Sequence, residues 1–283
     1  RLSSTERGRG KTRLLHFFNP TRFNRKEAAE ATLWDWPGDP SLIQAYDKEG
    51  NPIPCRVVRH SSVEWNHVRT DILVEADVPA FGYTTIKINE REKNHFCFSA
   101  MPPDPRVISY PETILENDLV RVHFDKRNFS ILSYYDKREE KELLSSPAYF
   151  SLSWEQQAEG EGVISGGNAW VEGIRSRMVN LHEDGVASLR GLELNTSLRR
   201  EISYQLSHKA MTIDVTAQLS DYSPILELSV CINQFPLSNK DGVPILSFRA
   251  PLAYDSSTFR CDMQIGTLDR KPQSCHDEFT RNF

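Results

Sequence analysis

The feature that most constrains the fold is a strict alternation of apolar and polar residues over residues 211–219. Apolar side chains occupy every second position from Met211 to Leu219, and polar side chains occupy the positions between them. A period of two residues is typical of a β-strand with one face buried and the other in water. Segments 202–206 and 226–232 repeat the pattern. Three such strands in succession predict a broad antiparallel sheet with a solvated face.

A second stretch, residues 113–144, predicts a β-hairpin that enters this sheet. Apolar and polar residues alternate over Val120–Asp125, and a polar turn follows at Asp125–Asn128. The chain then resumes with aromatic and β-branched residues over Phe129–Tyr135, which favours a second strand. The stretch carries no residue pattern that indicates catalysis.

Residues 14–90 contain short apolar runs separated by frequent turns. Asp47–Asn51 is the strongest hairpin signal, because its turn-forming residues lie between two apolar segments. Arg25–Leu33 is ambiguous, since its alanines and glutamates favour a helix while its alternation favours a strand. The short strands and close turns together predict a small all-β sandwich.

Changes in composition divide the chain into four segments. Residues 1–13 are charged and punctuated by glycine, which predicts a linker. We expect residues 14–100 to form the small sandwich, residues 101–112 a proline-rich linker, and residues 113–283 a larger β domain. Because the sequence starts at Arg1, we expect a fragment boundary there, with further sequence upstream.

Charge and cysteine content exclude several classes of protein. The formal net charge is -5 and the pI is about 5.9, so neither nucleic acid nor an anionic membrane is an expected partner. No apolar run is long enough to predict a membrane-spanning helix. The five cysteines are scattered and form no CxxC pair, which argues against a disulfide framework or a zinc knuckle. We expect buried free thiols and a cytoplasmic location.

Four segments of the chain are similar, in content and order, to segments of one enzyme family. They are HFFNPTRFNRKEAAEATL at residues 16–33, VPAFGYTTIKI at 78–88, ILSYYDKREEKELL at 131–144 and CDMQIGTLDR at 261–270. On these segments, residues 14–275 resemble the C-terminal β region of glycoside hydrolase family 38, the retaining α-mannosidases.

The resemblance implies an all-β fold, in which a small β-sandwich is followed by the N-terminal portion of a large antiparallel supersandwich of the galactose mutarotase-like type. It also favours a strand for Arg25–Leu33. The family has a glycine-containing turn before the third segment, where this chain has Arg127 and Asn128. We expect Asn128 to accommodate the positive φ, because asparagine tolerates left-handed backbone better than most residues.

The resemblance further implies part of an enzyme that hydrolyses terminal α-D-mannosides in glycan or oligosaccharide catabolism. Such enzymes use an Asp nucleophile, a second carboxylic acid and a zinc ion that orients the sugar hydroxyls. In the family these groups belong to an upstream α/β domain. We therefore expect the upstream domain and the mannoside substrate to be the partners of this chain. We expect the whole enzyme to contain zinc, but this chain to bind none and to be inactive alone. Formation of homo-oligomers stays an open option.

Residues with catalytic or metal-binding chemistry do not form a recognisable motif. His60, His67 and Asp71 lack the spacing of the family's zinc motif, although His67 and Asp71 would share one side of a strand. Polar residues on a solvated strand or loop are the simpler interpretation. His276 starts no HExxH motif, and the sequence has no nucleophile elbow or P-loop. Acidic pairs such as Glu139-Glu140 lie beside turn residues, which favours solvated loops.

The glycine-rich segment Gly160–Gly173 is predicted to contact substrate. Its glycines would allow the backbone to approach a ligand, and Trp170 has a flat apolar face suited to a sugar ring. We assign Asn168 and Trp170 as candidate substrate-binding residues. The alternative is a β-turn whose tryptophan anchors the core.

Two other functions stay open. A stand-alone carbohydrate-binding β-sandwich would need an exposed aromatic platform, for which the candidates are Trp34, Trp36, Trp65 and Trp170. A mutarotase-like enzyme would need a His and a Glu on one sheet face, and the sequence does not identify such a pair. If the chain belongs to an α-mannosidase, we expect an exposed apolar patch where the α/β domain docks.

Overall fold

The computed structural model describes residues 10–91, 113–156, 174–194, 196–209, 211–237, 242–254, 258–263 and 266–270. Almost every element in these ranges is a β-strand. The exceptions are a 3-10 turn at Pro40–Leu42 and a one-turn α-helix, α1, at Leu181–Asp184, and neither has the length and apolar character of a membrane span. The predicted all-β class is confirmed.

The chain divides into two compact units, each built from several segments of sequence. The first consists of residues 1–120, 191–203 and 216–229, and the second of residues 121–190, 204–215 and 230–283. The predicted linker at residues 101–112 lies outside the described ranges, so the domain limits stay a prediction.

Seven described strands build a β-sandwich in the first unit. They are β1 (Arg13–Phe18), β2 (Arg25–Trp34), β3 (Ile43–Tyr46), β4 (Pro52–Ile53), β5 (Cys55–Glu64), β6 (His67–Val78) and β7 (Tyr83–Glu90). One sheet has the order β1-β7-β3-β4 and the other has the order β2-β6-β5. Buried side chains from both sheets, including Leu33, Ile72, Val74 and Ile88, form one core. The small sandwich predicted for this part is confirmed.

Strand β2 settles the ambiguity between helix and strand. Its residues pair antiparallel with β6 along its whole length, from Arg25 opposite Val78 to Trp34 opposite Arg69. The inward-facing side chains Ala29 and Ala31 pack against the core. Tertiary pairing therefore outweighs the helix propensity of this segment.

Thirteen further strands lie in the rest of the described chain. They are β8 (Ile114–Glu116), β9 (Val120–Phe124), β10 (Ile131–Asp136), β11 (Lys141–Glu142), β12 (Tyr149–Gln156), β13 (Ile174–Asn180), β14 (Val186–Glu193), β15 (Arg199–His208), β16 (Met211–Ser220), β17 (Leu226–Gln234), β18 (Val243–Arg249), β19 (Phe259–Met263) and β20 (Gly266–Arg270). The sheets have the orders β11-β10-β9-β8, β13-β12-β18, β14-β15-β16-β17 and β19-β20.

The predicted alternation is present in β15 and β16 but not in β17. Every second residue of β16 is buried from Met211 to Leu219, as predicted. Strand β17 lies at the end of its sheet, and its apolar residues Val230 and Ile232 are exposed rather than half-buried. The alternation identified the strand correctly, but burial also requires a covering layer, which the described residues do not provide there.

The turn between β9 and β10 differs from the prediction at one residue. Phe129 has the positive φ, at 54°, and Asn128 does not. The Asn128 side chain instead accepts hydrogen bonds from the Ser130 N–H and hydroxyl, at 3.0 and 2.8 Å. The Phe129 ring stacks on Tyr204 with a centroid distance of 4.8 Å. Stacking and burial hold this bulky residue in a backbone region that it rarely adopts.

Two arginines of the first unit attach the ends of β14 and β15 to its sandwich. Arg56 lies 2.5 Å from Glu193 and also donates to the Arg199 carbonyl at 3.1 Å. Arg199 in turn pairs with Glu30 at 3.1 Å. These contacts lie on the outer face of the β2-β6-β5 sheet, where Leu73 is fully buried. The outer face of this sheet is therefore a packed interface within the unit.

The described cysteines are free thiols. Cys55, Cys231 and Cys261 form no disulfide, and Cys97 and Cys275 lie outside the described residues. Burial raises the pKa of the Cys55 thiol to about 11, which keeps it protonated and unreactive. Cys231 is exposed on β17, so the expectation of buried thiols is wrong for that residue.

Two carboxylates of the segment ILSYYDKREEKELL hold its hairpin together. Asp136 accepts from the Arg138 N–H at 2.8 Å and from the Arg138 guanidinium at 2.6 Å. Glu142 reaches back to β10, where it accepts from the Ser133 hydroxyl at 2.5 Å and the Tyr134 N–H at 2.8 Å. These acids therefore have a structural role in the turn.

Asp136 gives the fold a specific sensitivity to acid. Its hydrogen bond from the Arg138 side chain lowers the pKa of the Asp136 carboxyl to about 2. Because the folded pKa is depressed, the stabilisation is complete above the unfolded value of about 4 and is lost as the pH falls through about 2. We expect Asp136→Asn to lower the urea midpoint at neutral pH. The fall of the midpoint as the pH decreases from about 4 to about 2 should also be smaller in this variant than in the unsubstituted protein. Urea unfolding at a series of pH values measures both effects.

The control is Glu140→Gln, which removes an exposed carboxylate from the same turn. In this variant the urea midpoint should fall with decreasing pH as it does in the unsubstituted protein. The same fall in Asp136→Asn would contradict the assigned role of Asp136.

Candidate functional site

The buried side chain of Asn19 joins two loops at one edge of the first sandwich. Its two Nδ2 hydrogens are shared among the carbonyl oxygens of Phe23, Val78 and Pro79, which lie 2.6, 3.2 and 3.2 Å from Nδ2. Its Oδ1 accepts from the N–H and the hydroxyl of Thr21 at 3.0 and 2.6 Å. One amide therefore connects the loop after β1 with the loop before β7.

Backbone hydrogen bonds between the same loops reinforce this connection. The Asn19 N–H donates to the Gly82 carbonyl, and the Phe81 N–H donates to the Thr21 carbonyl, both at 2.9 Å. The Ala80 N–H donates to the Asn24 side chain at 3.0 Å. Phe81 is held at a φ of 50°, a conformation that costs energy for a bulky residue and persists only where its surroundings impose it.

The two loops and the adjoining strand ends present four exposed aromatic side chains. We call this surface the aromatic platform, and it consists of Phe18, Phe23, Phe81 and Tyr83. Phe18 and Phe81 are each 75% exposed, and the rings of Phe18 and Tyr83 lie 5.7 Å apart. Exposed apolar surface on a rigid support is typical of a binding site. This platform is the first element of the candidate site.

A groove of about 710 Å³ lies beside the platform, shares Tyr83 with it, and is also lined by Pro79 of the loop before β7. Polar side chains dominate the remainder of its lining: Asn24, Asp47, Lys48, Glu49, Glu75, Asp77, Thr84 and Thr85. Its volume falls in the range of small-molecule sites. The groove could accommodate a ligand with several hydroxyl groups, such as a short saccharide.

Most of the charge in the groove is already paired. Glu75 accepts a hydrogen bond from the Tyr222 hydroxyl and lies 3.2 Å from the Lys26 ammonium. Burial first, and the Glu75 carboxylate second, raise the pKa of Tyr222 well above its ordinary value. Hydrogen bonds from Asn51 hold the pKa of Asp47 below its usual range. The groove therefore offers polar contacts to a ligand, and we assign it no catalytic step.

The structure describes some of the candidate site residues predicted from the sequence and not others. Asn168 and Trp170, the candidate substrate contacts, lie outside the described residues, so their role stays a prediction. Trp36 is only 7% exposed and belongs to the core. Its assignment to the exposed aromatic surface of a carbohydrate-binding module is therefore wrong. Trp34 is 41% exposed and Trp65 is 90% exposed, as a carbohydrate-binding surface requires.

His60, His67 and Asp71 do not form a common site. The His60 Nδ1 contacts the Thr70 hydroxyl at 2.9 Å, and the His67 Nδ1 contacts Asp35 at 2.6 Å. Asp71 is buried rather than solvated. Arg69 and Thr32 donate hydrogen bonds to its Oδ1 at 2.8 and 2.7 Å.

Burial alone would raise the pKa of the Asp71 carboxyl, but the hydrogen bonds from Arg69 and Thr32 and the nearby arginine charges outweigh it and lower the pKa. Asp71 is therefore a buried carboxylate in a structural ion pair. Among the residues that the structure describes, no group of three or more His, Cys, Asp or Glu side chains is placed to hold a metal ion. These residues do not fit a zinc site.

The aromatic platform was not identified from the sequence. Its residues lie in two segments, HFFNPTRF and VPAFGY, which resemble segments of the α-mannosidases but carry no pattern that predicts a shared surface. The available signal was the concentration of aromatic residues next to Asn-Pro and Pro-x-x-Gly turns.

Comparisons with known proteins do not assign the chain to a family. No protein-family model matches the sequence, and no curated protein matches it. The function must therefore be inferred from the aromatic platform, the groove and the four segments that resemble the α-mannosidases.

Removal of the Asn19 amide should destabilise the first sandwich strongly. Asn19→Ala would leave three backbone carbonyls and the Thr21 groups without their partner, so we expect a loss of about 2–3 kcal/mol in the free energy of unfolding. Urea unfolding followed by tryptophan fluorescence measures it. Asn24→Ala removes one exposed hydrogen bond from the same loop pair and should cost less than about 1 kcal/mol. Equal effects of the two substitutions would contradict the central role of Asn19.

Proposed function

We propose that this chain is the non-catalytic C-terminal β region of a zinc-dependent α-mannosidase, in which it supports the catalytic domain and the substrate pocket. The observation that carries the proposal is the convergence at Asn19 of two segments that resemble the family. Asn19 of the first segment and Val78 of the second lie 59 residues apart in the sequence, yet the Asn19 side chain is hydrogen-bonded to the Val78 carbonyl. Together they build the aromatic platform.

The architecture is compatible with this role. A small sandwich precedes several further antiparallel sheets, in the order that the resemblance implies. The third resembling segment forms a hairpin fixed by Asp136 and Glu142, which gives a structural reason for its acids. The fold alone would not license the function, because sandwiches of this kind support many activities.

The aromatic platform supplies the apolar surface that a docked domain requires. Burial of an exposed aromatic side chain contributes about 1.5–3 kcal/mol, so two or three such residues can hold a neighbouring domain. The groove beside the platform adds hydroxyl-binding groups at the edge of that contact. In the proposed enzyme, the α/β domain packs on the platform, and the groove lies near the mannoside.

The chemistry of the reaction belongs to the upstream domain. Hydrolysis with retention needs a nucleophilic carboxylate, an acid and groups that position the sugar. The described residues supply no set of zinc ligands. This chain contributes rigidity and surface, and we expect it to be inactive alone.

The test uses the protein encoded by the complete reading frame. We expect several hundred residues upstream of Arg1 with a His-x-Asp pair, and zinc-dependent hydrolysis of p-nitrophenyl α-mannoside. In that enzyme, Phe18→Ala combined with Phe81→Ala should lower kcat/KM at least about tenfold, because the platform positions the catalytic domain. Steady-state kinetics measure the change.

The control is Tyr254→Ala, which removes an aromatic side chain exposed elsewhere on the chain and should leave kcat/KM unchanged. An upstream sequence without a catalytic domain, or an active enzyme indifferent to the platform double variant, would overturn the proposal.

A further inference from the structure

The tip of the hairpin between β5 and β6 carries a tryptophan in an unfavourable backbone conformation. Trp65 and Asn66 form the two-residue turn, with φ values of 51° and 64°. Such turns favour Asn, Asp and Gly, since both residues need left-handed backbone. Trp65 is nevertheless 90% exposed, so neither the turn nor the core explains the indole.

A hydrogen-bonded pair fixes polar groups beside the tip. The His67 Nδ1 lies 2.6 Å from one Asp35 oxygen, and the other Asp35 oxygen accepts from the Val68 N–H at 2.9 Å. These hydrogen bonds, with that of His67 the larger, hold the pKa of the Asp35 carboxyl below its ordinary value. In the neutral ring Nδ1 then donates and Nε2 is an acceptor. Nε2 has no hydrogen-bond partner among the described residues.

A second set of polar groups lies on the same face of β6. Arg69 donates to Glu64 at 3.0 Å and to the buried Asp71 at 2.8 Å. The anchor at Asp71 restrains the guanidinium, while Glu64 keeps much of its side chain in solvent. Because residues two apart on a strand share a face, His67 and Arg69 lie about 7 Å apart along it. Donors and acceptors are thus preorganised next to Trp65.

Trp34 adds a second exposed aromatic surface. It lies opposite Arg69 in the β2–β6 pairing, is 41% exposed, and contacts the His67 ring edge-on with a centroid distance of 6.5 Å. Trp34 therefore lies beside the polar groups of His67 and Arg69, and the exposed Trp65 lies two residues before His67 in the chain. Flat apolar faces beside oriented hydrogen-bonding groups suit a ring that is apolar on its faces and carries hydroxyls at its edge.

Charges at the tip cancel. The arginines are Arg13, Arg59 and Arg69, and the carboxylates are Asp35, Glu64 and Asp71. Arg59 lies 3.7 Å from Asp71, and Arg13 interacts electrostatically with Asp35. Such a surface attracts neither a polyanion nor a polycation strongly. The complementary ligand is neutral.

We propose that the hairpin tip is a binding site for a neutral saccharide, separate from the aromatic platform and its groove. A pyranose ring stacks on Trp65, and its hydroxyls bind to His67, Glu64 and Arg69. Trp34 accommodates a neighbouring sugar residue. The site is complete within this chain, so the inference does not rest on the proposed α-mannosidase function.

The test titrates this chain, labelled with ¹⁵N, with methyl α-mannoside, α-1,2-mannobiose, cellobiose and chitobiose. We expect at least one of them to bind with a millimolar or lower Kd and to shift the Trp65 indole N–H signal. Trp65→Asn should weaken that binding at least about tenfold. The same substitution should leave the urea midpoint unchanged or raise it, because asparagine tolerates left-handed backbone better than tryptophan.

The matched control is Tyr254→Ala, which should bind the saccharide as the unsubstituted chain does. Absence of binding by all four probes at tens of millimolar would overturn the proposal, as would saccharide binding that survives in Trp65→Asn. Trp65-dependent self-association, or Trp65-dependent adsorption to lipid vesicles, without saccharide binding would also overturn it. A failed search for an upstream catalytic domain would leave this titration unaffected, so the two proposals can fail separately.

Discussion

The hydrogen bonds of the Asn19 side chain are the interaction on which the aromatic platform of the first sandwich depends. A primary amide can donate twice and accept twice, and this one connects the loop after β1 to the loop before β7. Without it, the backbone carbonyls of both loops would need water or a different loop conformation. Because the amide is buried, its bonds define one arrangement. Phe81 can therefore stay at positive φ with its ring in solvent.

Strands were predictable because burial of one face imposes a period of two on the sequence. Met211–Leu219 shows this most clearly, and every predicted inward residue of β16 is buried. The pattern fails where burial depends on a partner that the sequence does not specify, as for Val230 and Ile232 on β17. The prediction from turn-residue preferences is wrong for a related reason. Asn128 has the better intrinsic tolerance of positive φ, but stacking on Tyr204 places that conformation at Phe129.

The candidate site was less predictable than the strands, because it consists of surfaces rather than motifs. Trp34 and Trp36 are two residues apart, yet one is exposed and the other lies in the core. The difference arises at the end of β2, where Asp35 adopts a left-handed conformation and the simple alternation stops. Asp71 shows the opposite case, since a charged residue is buried where three partners compensate for its desolvation. Local backbone conformation decides the first outcome, and partners from neighbouring strands decide the second.

Phe81 and Trp65 share a property that links the two proposed surfaces. Each is a bulky aromatic residue in left-handed backbone, and each exposes most of its side chain. Local energetics would favour Gly or Asn at both positions, and neither ring contributes to the core cluster of the sandwich. Strained residues persist only where the surrounding structure imposes them, and they often lie at functional sites. The two proposals assign a separate contact to each of these residues, one on the Asn19 loops and one at the hairpin tip.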